Sequence, residues 1–277
     1  MSTTANHTVN PTAELKSTTG ATDARGERIH GNVLIWDLPT RIFHGLLAGG
    51  FIAATVIALW FGEHSKLFPY HAIIGLVIAL MIGLRVVWGL VGTRYARFSS
   101  FIFGPRAVLE YMKGVLARTG KLHIGHNPGS AYAIFVMLAL VLALVATGIL
   151  IGQGSESAED LHEILAYIMI GMVIVHILGV VIHTVRRREN IIASMIHGQK
   201  NAKPGDAIRS SHPVVALGFL AIAGAFAFGL IRDFDPTTQT TRLPILGVTL
   251  QLSEAEHKDG HRNDPGDAKH KVKDEDD

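Results

Sequence analysis

The chain has 277 residues, of which 48% are hydrophobic and 17% charged, a balance that departs from ordinary soluble domains toward a membrane protein. It contains no cysteine, which excludes thioether attachment of a cofactor, cysteine-ligated iron–sulfur clusters, disulfides and thiol catalysis. A formal net charge of +2 provides no global basic field for a nucleic-acid partner.

Residues 1–32 are polar and carry no apolar run, so they read as a disordered lead, neither signal peptide nor span. Five apolar segments follow at 42–61, 72–91, 131–151, 163–185 and 213–231. Each approaches the roughly 20 helical residues needed to cross a bilayer core. The expected fold is all-α. An integral-membrane four-helix bundle occupies residues 33–200, a linker and fifth transmembrane helix occupy 201–235, and a polar acidic tail occupies 236–277. The tail reads as disordered apart from a short ordered stretch near Leu243 to Leu252. Gly218, Gly224 and Gly229 suit the fifth helix to packing, either on the bundle or on a partner subunit.

Arg94, Arg97, Arg106, Lys113, Arg118 and Lys121 lie between the second and third spans, and Arg186, Arg187, Arg188, Lys200, Lys203 and Arg209 follow the fourth. The opposite connections hold Glu63 and Lys66, or only Glu156, Glu159 and Asp160. This asymmetry predicts a cytoplasmic amino terminus, and five spans then place the carboxyl terminus on the opposite, outer side of the membrane. Trp36, Trp60 and Trp88 fall near span ends, where indole rings commonly anchor at the membrane surface.

Of fifteen histidines, His44, His71, His162, His176 and His183 lie within or at the ends of the first four spans. Ionisable groups at such depth are costly and generally face the bundle interior. His162 and His176 are fourteen residues apart, which on a helix is about 40° short of whole turns and ~21 Å of rise, so both face one side near opposite surfaces. Depth then pairs His71 with His162 at the outer level and His44 with His176 at the inner level. Two imidazoles on opposite faces of a flat macrocycle complete six-coordinate iron, a pattern suited to electron transfer. Zinc, the competing chemistry, favours four ligands at short spacing. Gly45, Gly49, Gly50, Gly75, Gly171 and Gly179 would make room for macrocycles, or simply allow close helix packing. Arg85 and Arg41 are candidates to pair with the carboxylates of an inner macrocycle, the alternative for Arg41 being a reach to lipid phosphate.

The stretches WDLPTRIFHG at 36–45, HAIIGLVIALMIGLRVVWGLVGTRYARF at 71–98, GPRAVLEYMKG at 104–114, GHNP at 125–128, LHEILAY at 161–167 and HILGVVIH at 176–183 resemble the bacterial cytochrome b561 family. The closer likeness is to its branch of cytochrome b subunits of nickel–iron hydrogenases and formate dehydrogenases. The resemblance covers about residues 33 to 200 and implies a four-helix bundle with two noncovalent b haems. The first, second and fourth helices would supply the ligands, at the positions of His44, His71, His162 and His176.

That resemblance implies a di-haem cytochrome carrying electrons between a partner redox protein and membrane quinone. The expected partner is a periplasmic c-type cytochrome, a dehydrogenase or a hydrogenase subunit. Because quinone reduction needs protons as well as electrons, His183, with Glu189 and Asn190, is the candidate quinone site; the alternative for His183 is an interface histidine. Two other functions compete: a self-sufficient oxidoreductase acting on a small oxidant such as superoxide, and a haemless transporter. The acidic tail offers either steering of a basic cytochrome or simple solvation.

Overall fold

Proline and capping side chains determine where most of the long helices begin. The computed structural model describes residues 31–119 and 123–252. The polar lead through residue 30, Lys121 and the acidic segment from residue 253 lie outside the described residues. Helix α1 (Leu38–Val56) starts at Asp37, whose carboxylate accepts from Thr40 N, with Pro39 in its first turn. Its last turn widens into a π-helix, Ile57–Phe61, that stops at Gly62. Helix α2 (Phe68–Val91) has Pro69 in its first turn, and α4 (Pro128–Ile151) is capped by Asn127 accepting from Ser130 N. Proline at the start costs no hydrogen bond, because the first amides of a helix are unpaired anyway. Helix α5 (Glu156–Arg187) runs unbroken for 32 residues, and α7 (Pro213–Arg232) again opens on proline.

These five helices are, among the described residues, long and apolar enough to cross a membrane. The first four begin three to seven residues before their apolar windows, at 38, 68, 128 and 156 against 42, 72, 131 and 163. Their opening turns carry polar residues that a hydropathy window discounts.

Helix α1 packs on α2, α5 packs on α4, and α2 joins the two pairs through α4. Ile78, Ile82, Val141 and Met169 form the seam, with Phe43, Leu47 and Val173 closing around it. Helix α7 lies on α1 and α2, so the fifth span docks on the bundle. Outward-facing side chains such as Ile52, Leu90 and Leu217 are more than 60% exposed, as expected where the surrounding solvent is lipid.

The inner connections hold short elements that hydropathy did not anticipate. Strand β1 (Gly31–Leu34) pairs antiparallel with β2 (Gln199–Ala202), placing Gly31 and Asn32 in a sheet at the end of the lead. Helix α3 (Pro105–Leu116) lies between α2 and α4, and α6 (Ile191–His197) precedes β2. Gly198 ends α6 with φ +84°, and its carbonyl accepts from both Ile35 N and Trp36 N. A Cβ there would stand 2.8 Å from the Trp36 carbonyl oxygen, so only glycine fits both the conformation and the contact.

After α7 the chain turns back. Strands β3 (Thr240–Arg242) and β4 (Thr249–Gln251) form an antiparallel hairpin, more ordered structure than the composition suggested. Thr241 Oγ1 donates to Leu230 O, Leu252 packs with Ile73 and Leu230, and Pro244 sits where a Gly229 Cβ would be. The hairpin also crosses the α4–α5 turn, where Gly152 admits the Gln251 carbonyl.

Two of the three indoles are joints, not surface anchors: Trp36 and Trp88 are buried, and only Trp60 is exposed. Trp36 Nε1 donates to Ser194 Oγ on α6, and Trp88 Nε1 donates to Asp37 Oδ2, which also accepts from Thr93 Oγ1. The buried Asp37 carboxylate therefore caps α1 with one hydrogen bond and ties it to the end of α2 with two more, from Trp88 and Thr93. Replacing Asp37 with Ala is expected to destabilise the protein by about 3 kcal/mol, combining a lost cap with lost charge-assisted bonds. Denaturation of both proteins in the same detergent checks this.

Candidate functional site

Between α1 and α5 lies a cavity of about 2810 Å³ that runs the length of the bundle. Single-ligand pockets are commonly ~300–1,000 Å³, so this space admits more than one large group. Its walls come mainly from α1, α2, α4 and α5, and the carboxyl-terminal hairpin closes one end through Thr237 to Gln239 and Val248 to Leu252. Gly45, Gly75 and Gly179 border it and a Cβ on any of them would meet nothing within 4 Å. Gly50 instead packs against Ile78, and Gly49 and Gly171 do not line the cavity.

His44, His71, His162 and His176 all border this cavity. At the hairpin end, His71 from the first turn of α2 faces His162 from the second turn of α5, with ring centroids 6.1 Å apart. Metal–imidazole bonds are about 2 Å long, so this spacing accommodates one ion bonded to both rings. His71 Nδ1 lies 2.9 Å from the Ala54 carbonyl oxygen, which can only accept, so the proton is on Nδ1 and Nε2 carries the lone pair. His162 Nδ1 lies 2.9 Å from Thr147 Oγ1, and that hydroxyl is also within 3.0 Å of the Ala143 and Leu144 carbonyls. With its hydrogen given to a carbonyl, Thr147 accepts from Nδ1, and His162 likewise keeps Nε2 free. Both rings thus have Nδ1 held and an Nε2 lone pair free, the state a metal-binding imidazole adopts. His44 on α1 and His176 on α5 border the same cavity from opposite helices. Among the described residues no group of three or more histidine, cysteine, aspartate or glutamate side chains comes together.

Arg85 also borders the cavity. Its Nη2 donates to Ala96 O at 3.1 Å and its guanidinium lies over Phe98, while Nη1 is buried with no partner among the described residues. Arg41 differs: its Nε donates to Met195 O and Nη2 to Ile196 O, the last carbonyls of α6. Two of its nitrogens are committed to that helix end, and Arg85 has the buried nitrogen still to satisfy.

His183 is 4% exposed, so it is an interior side chain, not an interface one. Its Nε2 is 3.2 Å from Glu189 Oε2 and its Nδ1 2.7 Å from Tyr111 Oη. Since a carboxylate only accepts, a neutral His183 donates through Nε2 and accepts the tyrosine proton at Nδ1. Lys200 Nζ closes the chain at 2.6 Å from Glu189 Oε1. Burial alone would raise the Glu189 pKa, but the hydrogen bonds and charges of His183 and Lys200 outweigh it and hold the group below its ordinary value. Asn190 stands beside this chain with its side-chain oxygen spent on capping α6 at Ala193 N.

The family model for prokaryotic cytochrome b561 matches residues 35–198, more than half of the chain. This chain belongs to the prokaryotic cytochrome b561 family. It is 28% identical to a probable Ni/Fe-hydrogenase B-type cytochrome subunit of Bradyrhizobium diazoefficiens, over 65% of this chain and 91% of the relative. It is 26% identical to proteins of the same description from Rhizobium leguminosarum bv. viciae and Rhodobacter capsulatus, again over 65% of this chain, and over 94% and 86% of those relatives. No solved structure matches the chain. The protein is a multi-pass membrane cytochrome of the b type, and its cofactor is haem b.

Sequence reasoning about this cytochrome missed Thr147, Tyr111, Lys200 and His126. Thr147 had a signal: between Ala133 and Ile151 it is the only polar side chain of α4. Tyr111, Lys200 and His126 lie outside the apolar spans and reach the cavity only through folded connections. His126 is enclosed between Trp36 and Phe101, with centroids 4.7 and 4.3 Å away. Burial, followed by the charges of Arg85, Lys200 and His44, lowers its pKa to about 3. With His162 proposed as a haem ligand, Thr147→Val is expected to weaken haem retention about 10–100-fold, the usual cost of losing a ligand's supporting hydrogen bond. Thr147→Ser should preserve it, and haem per chain after extended washing measures both.

Proposed function

We propose that this cytochrome holds two noncovalent b haems, one between His71 and His162 and one between His44 and His176, and carries electrons between a hydrogenase-type partner and membrane quinone. The observation that supports the reading most directly is the facing pair His71 and His162, both with Nδ1 already bound and Nε2 free. Haem b supplies one-electron redox chemistry when bound. The protein's part is to fix imidazole orientation through Ala54 and Thr147, exclude water with apolar walls, and cover the His71 end with the hairpin. The charge asymmetry of the connections supports an inner-membrane orientation with the amino terminus in the cytoplasm and the hairpin outside. The names of the relatives favour a hydrogenase subunit as partner over a c-type cytochrome, and favour an electron-transfer subunit over a superoxide-reactive enzyme or a haemless transporter.

Quinone is assigned to the inner end, where Tyr111, His183 and Glu189 form a directed hydrogen-bonded chain between the cavity wall and the surface. Tyr111 borders the cavity, while Glu189 is 27% exposed, so protons have a route that does not require water inside. Asn190 contributes by holding α6 in place.

A reduced-minus-oxidised spectrum with a pyridine haemochrome assay tests the haem assignment. Two haems per chain are expected, with substitution of His71 or His162 removing one and of His44 or His176 removing the other. A single haem would eliminate one of the pairs. His183→Ala should slow quinone reduction at least tenfold while both haems stay bound; an unchanged rate would take quinone away from this site.

A further inference from the structure

His126 and Arg85 share an unusual condition: each has a buried nitrogen that no group among the described residues satisfies. Such atoms cost about 1–3 kcal/mol when left unpaired and are rare unless something binds there. Both residues border the cavity that His44 and His176 also border, and His126 feels the charges of Arg85 and His44. They are also connected by one aromatic floor, with Arg85 4.9 Å over Phe98, Phe98 5.8 Å from Phe101, and Phe101 4.3 Å from His126.

The tautomer of His126 follows from which nitrogen is sealed. Its Nδ1 is buried with no partner, so a proton there would be an orphaned donor, a costlier state than an orphaned lone pair. The proton therefore belongs on Nε2, the nitrogen left to meet the cavity. This is the reverse of His71 and His162, which keep Nδ1–H bound and offer a lone pair. A ring that presents N–H is a poor metal ligand and a good donor to an anion. The lowered pKa of His126 agrees with a neutral ring that has only that one proton to give.

A neutral N–H donor and a guanidinium that border one apolar cavity and share that aromatic floor match a carboxylate. The Asp37 carboxylate does not meet this need, because its oxygens bind Thr40, Trp88 and Thr93. We infer that His126 Nε2 and Arg85 Nη1 together bind a propionate carboxylate of the haem held between His44 and His176. This rests on the two-haem reading above. His126 is then a positioning residue that sets the haem's rotation in the cavity and stabilises the propionate charge through a hydrogen bond.

The test is a redox titration of the full-length protein in detergent, comparing wild type with His126→Leu and His126→Gln. The transition that survives in His162→Ala identifies the inner haem. Loss of the donor leaves the propionate charge less compensated, which favours ferric iron. His126→Leu should therefore lower the inner potential by about 59 mV, a tenfold change for a one-electron couple, and leave the outer transition in place. His126→Gln, whose amide can donate, should restore most of it. If His126→Leu loses the inner haem entirely, His126→Gln decides, with a bound haem near the wild-type potential supporting the assignment and loss overturning it. An unmoved inner potential in His126→Leu overturns it, as does an equal shift of both transitions. A changed quinone KM with both potentials unmoved also overturns it, assigning the donor to quinone. A wild type with fewer than two haems per chain would be a different failure, that of the two-haem reading itself.

Discussion

One helix must present an imidazole near each of its ends toward the same cavity, and most of the bundle can be understood as meeting that demand. Fourteen residues on an unbroken α5 keep His162 and His176 on nearly one face while separating them by ~21 Å. A kink or π-turn between them would rotate one ring away. The apolar run between the two is therefore a rigid spacer, and α1 and α2 bring their histidines to the level each end requires. Because two helices face one another across open space, α4 and α2 carry the seam packing that the cavity takes from the rest.

The two ends are built differently. At the hairpin end the histidines are set by short-range bonds, His71 to the α1 carbonyl of Ala54 and His162 to Thr147, and the lid comes from the segment after α7. At the other end there is a larger polar assembly. Asp37 ties α1 to α2, Trp36 ties the start of α1 to α6, Arg41 ties α1 to the end of α6, and Lys200 on β2 reaches Glu189. The strand pair β1–β2 holds the start and the end of the four-helix unit together, so this polar floor is one structure, not a set of loose connections. Such a floor leaves few buried groups unpaired, which makes the unpaired nitrogens of Arg85 and His126 informative.

Much of this was legible in the residues alone. Membrane character, five spans, the four histidines and their division by depth follow from two regularities that act locally, the length of an apolar helix and its 100° turn per residue. The motifs around Trp36 to Gly45 and His71 to Phe98 placed the chain near its family because they preserve those same helices. Less legible were the roles of residues in the connections. Trp36 and Trp88 read as surface anchors since span-end indoles usually are, yet both are buried by partners far away in sequence, Ser194 and Asp37. Arg41 and Arg85 were both candidate carboxylate partners, with lipid phosphate the alternative for Arg41, and it is the position of α6 that commits Arg41 to backbone carbonyls.

The sequence by itself determined the number and depth of the helices, the level of each histidine and the absence of cysteine chemistry, because these depend on composition and on periodicity within a single segment. The tertiary structure decided which nitrogen of each ring is free, which arginine keeps a buried nitrogen to satisfy, how His183 joins Tyr111 and Glu189, and that the carboxyl-terminal hairpin closes the cavity. Each of those depends on a hydrogen bond or contact between segments distant in the chain, and no local pattern specifies where a distant donor or acceptor will lie.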